Sequence, residues 1–175
     1  VIGVCVLRAL TSLGLKDAGL KWPNDLLVQG RKLGGVLIEL RAEASGPACV
    51  VIGVGLNVAL GPQVLKQIAA TGIEATDLSA AGLGDTGRNR IVAAVVSECL
   101  AGLVAFERDS LKPFLEQWRR ADALAGKPVN VSGAQGTAKG FARGVDLHGA
   151  LLLETPQGVQ RFISGDVSVR PAVTA

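Results

Sequence analysis

From Val1 to Leu15 the apolar residues fall at 2, 4, 6, 7, 10 and 13, which fits a helical period better than strict alternation. Gly14 stands where the helix would be capped. Ala18–Trp22 then reads as a short strand halted by Pro23, which has no amide proton to give a ladder. Asn24 and Asp25 suit a turn, Leu26–Val28 resumes an extended run, and Gln29-Gly30-Arg31 is a predicted hairpin tip. Gly35–Leu40 and Cys49–Val58 are the clearest strands, rich in Val, Ile and Leu, with Ala44-Ser45-Gly46-Pro47 as the turn between them. The second is apolar on both faces, the pattern of a central strand covered from each side.

Pro62–Ala70 predicts a short helix, followed by a loop rich in Gly, Thr and Asp that runs to Gly87. The longest periodic segment, Asn89–Arg108, sets Ile91, Val92, Val95, Val96, Cys99, Leu100, Leu103 and Phe106 on one broad stripe, predicted to be core. Another helix is predicted over Leu111–Ala121, with Phe114, Leu115 and Trp118 turned inward. After Gly126 the pattern changes. Five short extended runs, at 128–131, 137–145, 150–154, 159–163 and 167–170, suggest a small barrel. Two domains are therefore expected, 1–125 and 126–175.

Composition agrees with a packed protein: 49% of the 175 residues are hydrophobic and 19% charged, so nothing points to disorder. Aromatics are only 3%, which leaves the packing to Val, Leu, Ile and Ala. A net charge of +3 without a dense basic run gives no nucleic-acid patch, although it suits a weakly held anionic ligand. Cys5, Cys49 and Cys99 lie among apolar neighbours with no CxxC pair, so buried free thiols in a reducing, cytoplasmic setting are expected rather than a disulfide or metal framework. The opening apolar run is broken by Arg8, which excludes a signal peptide or membrane span there. With no Met anywhere and a hydrophobic start, the chain is expected to lack its front.

Candidate chemistry clusters in four pieces: Lys21-Trp22-Pro23-Asn24-Asp25, Arg31-Lys32-Leu33-Gly34-Gly35, Glu39, and Gly53-Val54-Gly55-Leu56-Asn57. Singly, each has a plain explanation: surface lysines, a turn cap at Asp25, a bulge at Gly53 or Gly55. Together they describe more. Lys32 precedes two glycines, and bare backbone lets a ligand approach closely beside a cation that can neutralise carboxylate or phosphate. Asp25, across the predicted hairpin, could hold that lysine in place and keep it charged. Asn57 adds an amide suited to phosphate or metal-bound water. The Gly-x-Gly-x-Asn run is not a dinucleotide fingerprint, since the third glycine and following helix are absent.

In order, spacing and residue type, Lys21-Trp-Pro-Asn-Asp25, Arg31-Lys-Leu-Gly-Gly35, Val36-Leu-Ile-Glu39 and Gly53-x-Gly-x-Asn57 resemble the successive motifs of the biotin protein ligases. Arg143-Gly-Val-Asp146, Gly149–Glu154 and Gly165–Arg170 resemble that family's C-terminal SH3-like barrel, so the likeness spans essentially the whole chain. It implies an α+β fold: a mixed sheet with helices, like the class II synthetase core, followed by a small SH3-like β-barrel. It also implies ATP-dependent formation of biotinyl-5′-AMP, then transfer of biotin to one lysine of a carboxylase's biotin carrier domain. By this resemblance Lys32 would contact the biotin carboxyl end and the α-phosphate, with Asp25 orienting it. Asn57 would lie near the phosphates and Mg²⁺; Lys21, Asn24 and Arg170 would face ATP; and Gly34, Gly35, Gly53 and Gly55 would floor the site.

Two departures stand out. The family's Gly-Arg-Gly-Arg-x-Gly-Arg loop and its Ser-Thr-Asn element do not occur, and are expected upstream of Val1; this chain alone is then expected to be inactive or very weak. In the barrel, Asn130 stands where some relatives carry a basic residue. Alternatives are a lipoate ligase, a non-catalytic interaction module, or a ligand-controlled repressor if a helix-turn-helix precedes the chain. The Gly35–Leu40 and Cys49–Val58 strands could offer a sheet edge to a second copy or to the carrier domain. No membrane partner is expected. Trp22 reads as core or pocket wall, and His148 as a solvated turn residue.

Overall fold

A computed structural model describes residues 1–41, 49–133, 136–163 and 168–171, so the predicted turn at Ala44–Pro47 lies outside the described residues. The first helix, α1 (Ile2–Ser12), ends as its sequence predicts. Gly14 adopts φ 106°, its N–H donates to Thr11 O at 2.9 Å, and Leu15 N–H reaches Leu10 O at 3.0 Å, closing a Schellman cap.

Four antiparallel strands follow in simple order: β1 (Ala18–Lys21), β2 (Asp25–Val28), β3 (Arg31–Arg41) and β4 (Cys49–Leu56). Gln29 and Gly30 both take positive φ, 50° and 78°, which makes the β2–β3 connection a two-residue turn of the type that matches strand twist. One face of this sheet carries Leu20, Leu26, Val28 and Val36 into a core shared with α1 and the long helix α3 (Arg88–Asp109). A glycine makes the α1–α3 crossing possible: a Cβ on Gly102 would lie 2.2 Å from Cys5 Sγ. Between these elements come α2 (Pro62–Ala69) and a helical turn at Ser79–Leu83; α4 (Lys112–Ala121) follows α3.

Two sequence expectations change here. Strand β4 reads as central, yet among the described residues it forms the sheet edge, and most of its residues are half-buried or exposed. Helix α3 reads as core along its whole stripe, but only Ile91, Val95 and Gly102 are buried, while Val92 is 59% and Leu100 61% exposed. The cause is one geometry: α3 overhangs the β4 edge. Ile52, Val54 and Leu56 then face Val92, Val96 and Cys99 across an apolar groove of about 450 Å³ instead of a closed core. By length and composition α3 is also apolar enough to cross a membrane, although one side of it is committed to α1.

The last part forms a five-stranded antiparallel sheet in the order β8-β7-β6-β5-β9: β5 (Pro128–Gly133), β6 (Gly136–Val145), β7 (Leu151–Thr155), β8 (Gly158–Phe162) and β9 (Ser168–Pro171). All five predicted runs are strands. The expected barrel is not closed by hydrogen bonds, since β8 and β9 do not pair among the described residues. A second core of Val129, Val131, Ala142, Leu151, Leu153 and Val169 lies on this sheet, and it takes in Leu115, Leu124 and Trp22 from the preceding elements. Trp22 Nε1–H donates to Gly149 O at 3.0 Å, so this aromatic spans the two parts.

Candidate active site

An uninterrupted strand would send Lys32, Gly34 and Val36 to the same face, the one packed on the helices. A β-bulge prevents this. Leu26 pairs with Gly34 and Leu27 with Lys32, which leaves Leu33 as the extra residue. Leu33 is fully buried, and Lys32 turns to the face that carries Asp25 and Gly35. There its Nζ lies 2.5 Å from Asp25 Oδ1, while Lys21 Nζ lies 2.6 Å from Oδ2. One carboxylate thus aligns two ammonium groups and leaves a net positive charge.

The Asp25 side chain is only 12% exposed. Burial by itself would push its carboxyl up; hydrogen bonds and charge from Lys21 and Lys32 outweigh that and hold it below the ordinary carboxylate range. The same ion pairs keep both lysines oriented.

Gly35 leaves room beside this triad. A Cβ there would sit 3.6 Å from Asp25 Oδ1 and 3.8 Å from Lys32 Cε, so bare backbone borders the cation. Gly34 has a different task, since a Cβ would strike Gly55 O at 2.2 Å. Gly55 pairs directly with Gly35, whereas Gly53 lies opposite Leu37 with its nearest neighbour at 3.6 Å.

Amide side chains hold the backbone of the site together. Asn24 Nδ2 donates to Val36 O at 2.8 Å, and Val36 N–H donates to Asn24 O at 2.9 Å, which folds the Lys21–Asp25 turn onto β3. Asn57 Nδ2 donates to Lys32 O at 3.3 Å and to Thr76 O at 3.0 Å. Its Oδ1 has no hydrogen bond among the described residues and is the free end. The segment around Thr76 went unnoticed in the sequence: Lys32 N–H donates to Glu74 O at 2.7 Å, and Thr76 N–H to Lys32 O at 2.9 Å. Asp77, 5% exposed, anchors that segment by accepting from Leu60 N–H and Ala80 N–H, both at 2.7 Å. The available signal was Asp77 three residues before Ala80, the spacing of an N-cap.

The structure therefore gathers Lys21, Asp25, Lys32 and Gly35, with Asn24 and Asn57 bracing their backbones. A cavity of about 440 Å³ opens beside Gly3, Lys21, Asn24, Asp25, Leu37 and Trp118. Arg170 is not part of this group; it lies on β9, paired with Asn130 of β5. No cluster of three acidic, His or Cys side chains suited to a metal occurs among the described residues.

Two family models match: "Biotin/lipoate A/B protein ligase family" over residues 1–57, and "Biotin protein ligase C terminal domain" over residues 125–170, together more than half of the chain. The chain belongs to the biotin protein ligase family. Among the ligases it is 36% identical over 172 residues to the bifunctional ligase/repressor BirA of Escherichia coli K12, covering 98% of this chain and 52% of that protein. It is 34% identical over 153 residues to the biotin–[acetyl-CoA-carboxylase] ligase of Mycobacterium tuberculosis, covering 86% and 53%. The chain thus spans about half the length of these relatives. A solved biotin protein ligase from Aquifex aeolicus, in complex with biotin and ATP, superposes with a TM-score of 0.83 at 27% identity, over 98% of this chain and 70% of that one. The family's mixed α+β fold accounts for both sheets.

Proposed function

We propose that this protein carries the lysine-and-asparagine side of a biotin adenylation site: biotin and ATP give biotinyl-5′-AMP, and biotin passes to a lysine of a carboxylase's carrier domain. The observation that carries this reading is the bulge at Leu33, which swings Lys32 out of the core and onto Asp25 beside the bare backbone of Gly35. A bulge that re-aims one cation onto an open, side-chain-free surface suits a site for an anion, where a plain scaffold would leave the lysine in solvent.

The chemistry needs such a cation. A carboxylate oxygen of biotin forms a bond to the α-phosphorus while the bond to pyrophosphate breaks, bringing anion against anion. Lys32 offsets that charge, and the Asp25 ion pair fixes it before the reactants arrive, so little reorganisation is needed in the transition state. Lys21, held by the same carboxylate, adds a second positive charge on the same side. In the transfer step the acceptor lysine's amine forms an amide with the biotinyl carbonyl carbon, AMP leaves, and the surplus amine proton goes to solvent.

Magnesium fits only a limited role. Asn57 Oδ1 accepts no hydrogen bond among the described residues, and those residues hold no acidic cluster suited to a metal, so Mg²⁺ would be held mainly by nucleotide phosphates and would screen their charge. The sheet edge at β4 would serve a second copy or the carrier domain, and the repressor function named for BirA is the second reading, under which this protein would also act on DNA.

Supplying labelled biotin, ATP, magnesium and a carrier domain to the chain, alone and joined to the part of the Escherichia coli relative that it does not match, tests the reading. The carrier is expected to be labelled, and Lys32→Ala should abolish labelling while leaving the circular dichroism unchanged. Transfer of lipoate without transfer of biotin would overturn the biotin assignment, and full activity in Lys32→Ala would overturn the role of Lys32.

A further inference from the structure

Strand β3 changes partners at the bulge, and the backbone of Lys32 passes into the hold of a segment that no strand contains. Pairing between β3 and β4 stops at Gly34 and Leu56, two residues short of Lys32. The place of β4 is taken by residues 74–76, joined to Lys32 through an isolated parallel bridge at Ala75. Lys32 N–H donates to Glu74 O at 2.7 Å, and its carbonyl accepts from Thr76 N–H at 2.9 Å, with Asn57 Nδ2 as a second donor to that carbonyl. Both backbone groups of this lysine therefore depend on the short segment and not on the sheet.

Little holds that segment from its front. Residues 71–74 are exposed, and α2 before them buries none of its side chains. It is fixed from behind, at Asp77 and Leu78. Leu78 fills the first core, and its N–H donates to Asn57 O at 2.9 Å. Asp77 adds what packing cannot. Its Oδ1 accepts from Ala80 N–H three residues on, and its Oδ2 from Leu60 N–H seventeen residues back. The first bond is a local cap, whereas the second crosses to the loop that follows Asn57. The carboxylate is buried and forms no ion pair among the described residues, so its charge is matched by backbone amides alone. A local cap needs one oxygen. The second oxygen locks 57–60 to 76–80, and so fixes Asn57 and Thr76, the two residues that donate to the Lys32 carbonyl.

We infer that Asp77 is a positioning residue for Lys32: by clamping the Leu60 loop to the Thr76 segment, it holds the bulge that turns the Lys32 ammonium onto Asp25. The inference rests on the adenylation reading only in naming the reaction that Lys32 serves. Asp77 acts through the Lys32 peptide and needs no contact with a reactant.

Two variants separate the clamp from the cap. Asp77→Ser keeps a good cap for Ala80 N–H but is too short to reach Leu60 as well, and Asp77→Asn keeps the shape with one acceptor oxygen in place of two. Amide hydrogen exchange on the full chain reads the clamp: in both variants the Lys32 and Thr76 amides should exchange about tenfold faster or more, with the second sheet unchanged. In the labelled-biotin assay, kcat should fall about tenfold to a hundredfold, as a shift of about 1 Å in a reacting group can cause, with KM for the carrier domain unchanged. Gly102→Ala, whose clash lies in the α1–α3 crossing, is the comparator for plain destabilisation and should keep its kcat. Should Asp77→Asn fail to fold, Asp77→Ser decides alone, since it retains the cap. Unchanged exchange at Lys32 and Thr76, or faster exchange with kcat unchanged, overturns the inference and leaves the adenylation reading standing. Asp77→Ser matching the wild type would reduce Asp77 to a cap and overturn it as well. Faster exchange in the variants, with no biotin transfer by the wild type, keeps Asp77 as the clamp of Lys32 and sinks the adenylation reading.

Discussion

Asp25→Asn isolates the electrostatics of the site. In the wild type the carboxylate sits 2.6 Å from Lys21 Nζ and 2.5 Å from Lys32 Nζ, and the lysine side chains are 22% and 38% exposed. Charged hydrogen bonds contribute about 1.5–3 kcal/mol each when sheltered, and exposed pairs about 0–1 kcal/mol. Lys21 belongs nearer the first range, and Lys32 must be discounted towards the second. A loss of about 2–3 kcal/mol is expected for the variant at pH 7, partly from the repulsion of two lysines left without their anion. Urea unfolding followed by tryptophan fluorescence reads it, because Trp22 is buried next to Lys21.

The pH arm has a definite sign. The folded Asp25 carboxyl lies below its unfolded value, so in acid the unfolded chain takes up the proton first and stability falls as pH drops. The wild type's advantage over Asp25→Asn should be full above the unfolded carboxyl value of about 4, and should shrink as pH falls through the folded value. Curves that stay parallel right through that acid range, or equal stability at neutral pH, would refute the charge-sharing argument.

Gly34→Ala should unfold the β3–β4 pairing or cost roughly 3 kcal/mol or more, because its Cβ would meet Gly55 O at 2.2 Å; Gly53→Ala, with nothing nearer than 3.6 Å, should be nearly neutral in the same melts. Gly102→Ala is expected to lose about 1–3 kcal/mol against Cys5 Sγ, and pairing it with Cys5→Ala should recover part of that in a double-mutant cycle. Asn57→Ala should lower stability by about 1–2 kcal/mol through its two lost backbone bonds, and weaken nucleotide binding as well; unchanged values in both measurements would contradict the brace described at Lys32.

Much of this was legible from periodicity alone. The α1 helix with its Gly14 cap, the Gln29-Gly30 hairpin and the five short strands after Gly126 all follow from local signals. What escaped was non-local. The run Arg31-Lys-Leu-Gly-Gly35 reads as a plain strand, and only pairing with β2 reveals that Leu33 is the extra residue. Nor does Val50–Leu56 announce whether it is central or at an edge, since an apolar strand looks the same until its neighbours are counted. The stripe on α3 misled for the same reason: periodicity gives a helix its face, not the extent of what lies beneath it. Lys32, Asp25 and Asn57 were visible as chemistry, whereas the clamp from Glu74, Thr76 and Asp77 depends on a loop whose path no local pattern sets.

Trp22 ties two protein parts into one machine. Leu20 and Leu26 on either side of it belong to the first core, yet Trp22 itself is packed in the second and donates to Gly149 O. The pentapeptide bearing Lys21 and Asp25 is therefore tethered at its second residue by the C-terminal sheet. Ending the chain at Gly126 would strip Trp22 of its acceptor and of the part of its wall that the second sheet supplies, and loosen the carboxylate that aligns the lysines. The second sheet is thus not an interchangeable appendage: a foreign one grafted in its place would have to offer a carbonyl at the position of Gly149, or the charges of the site would drift out of alignment.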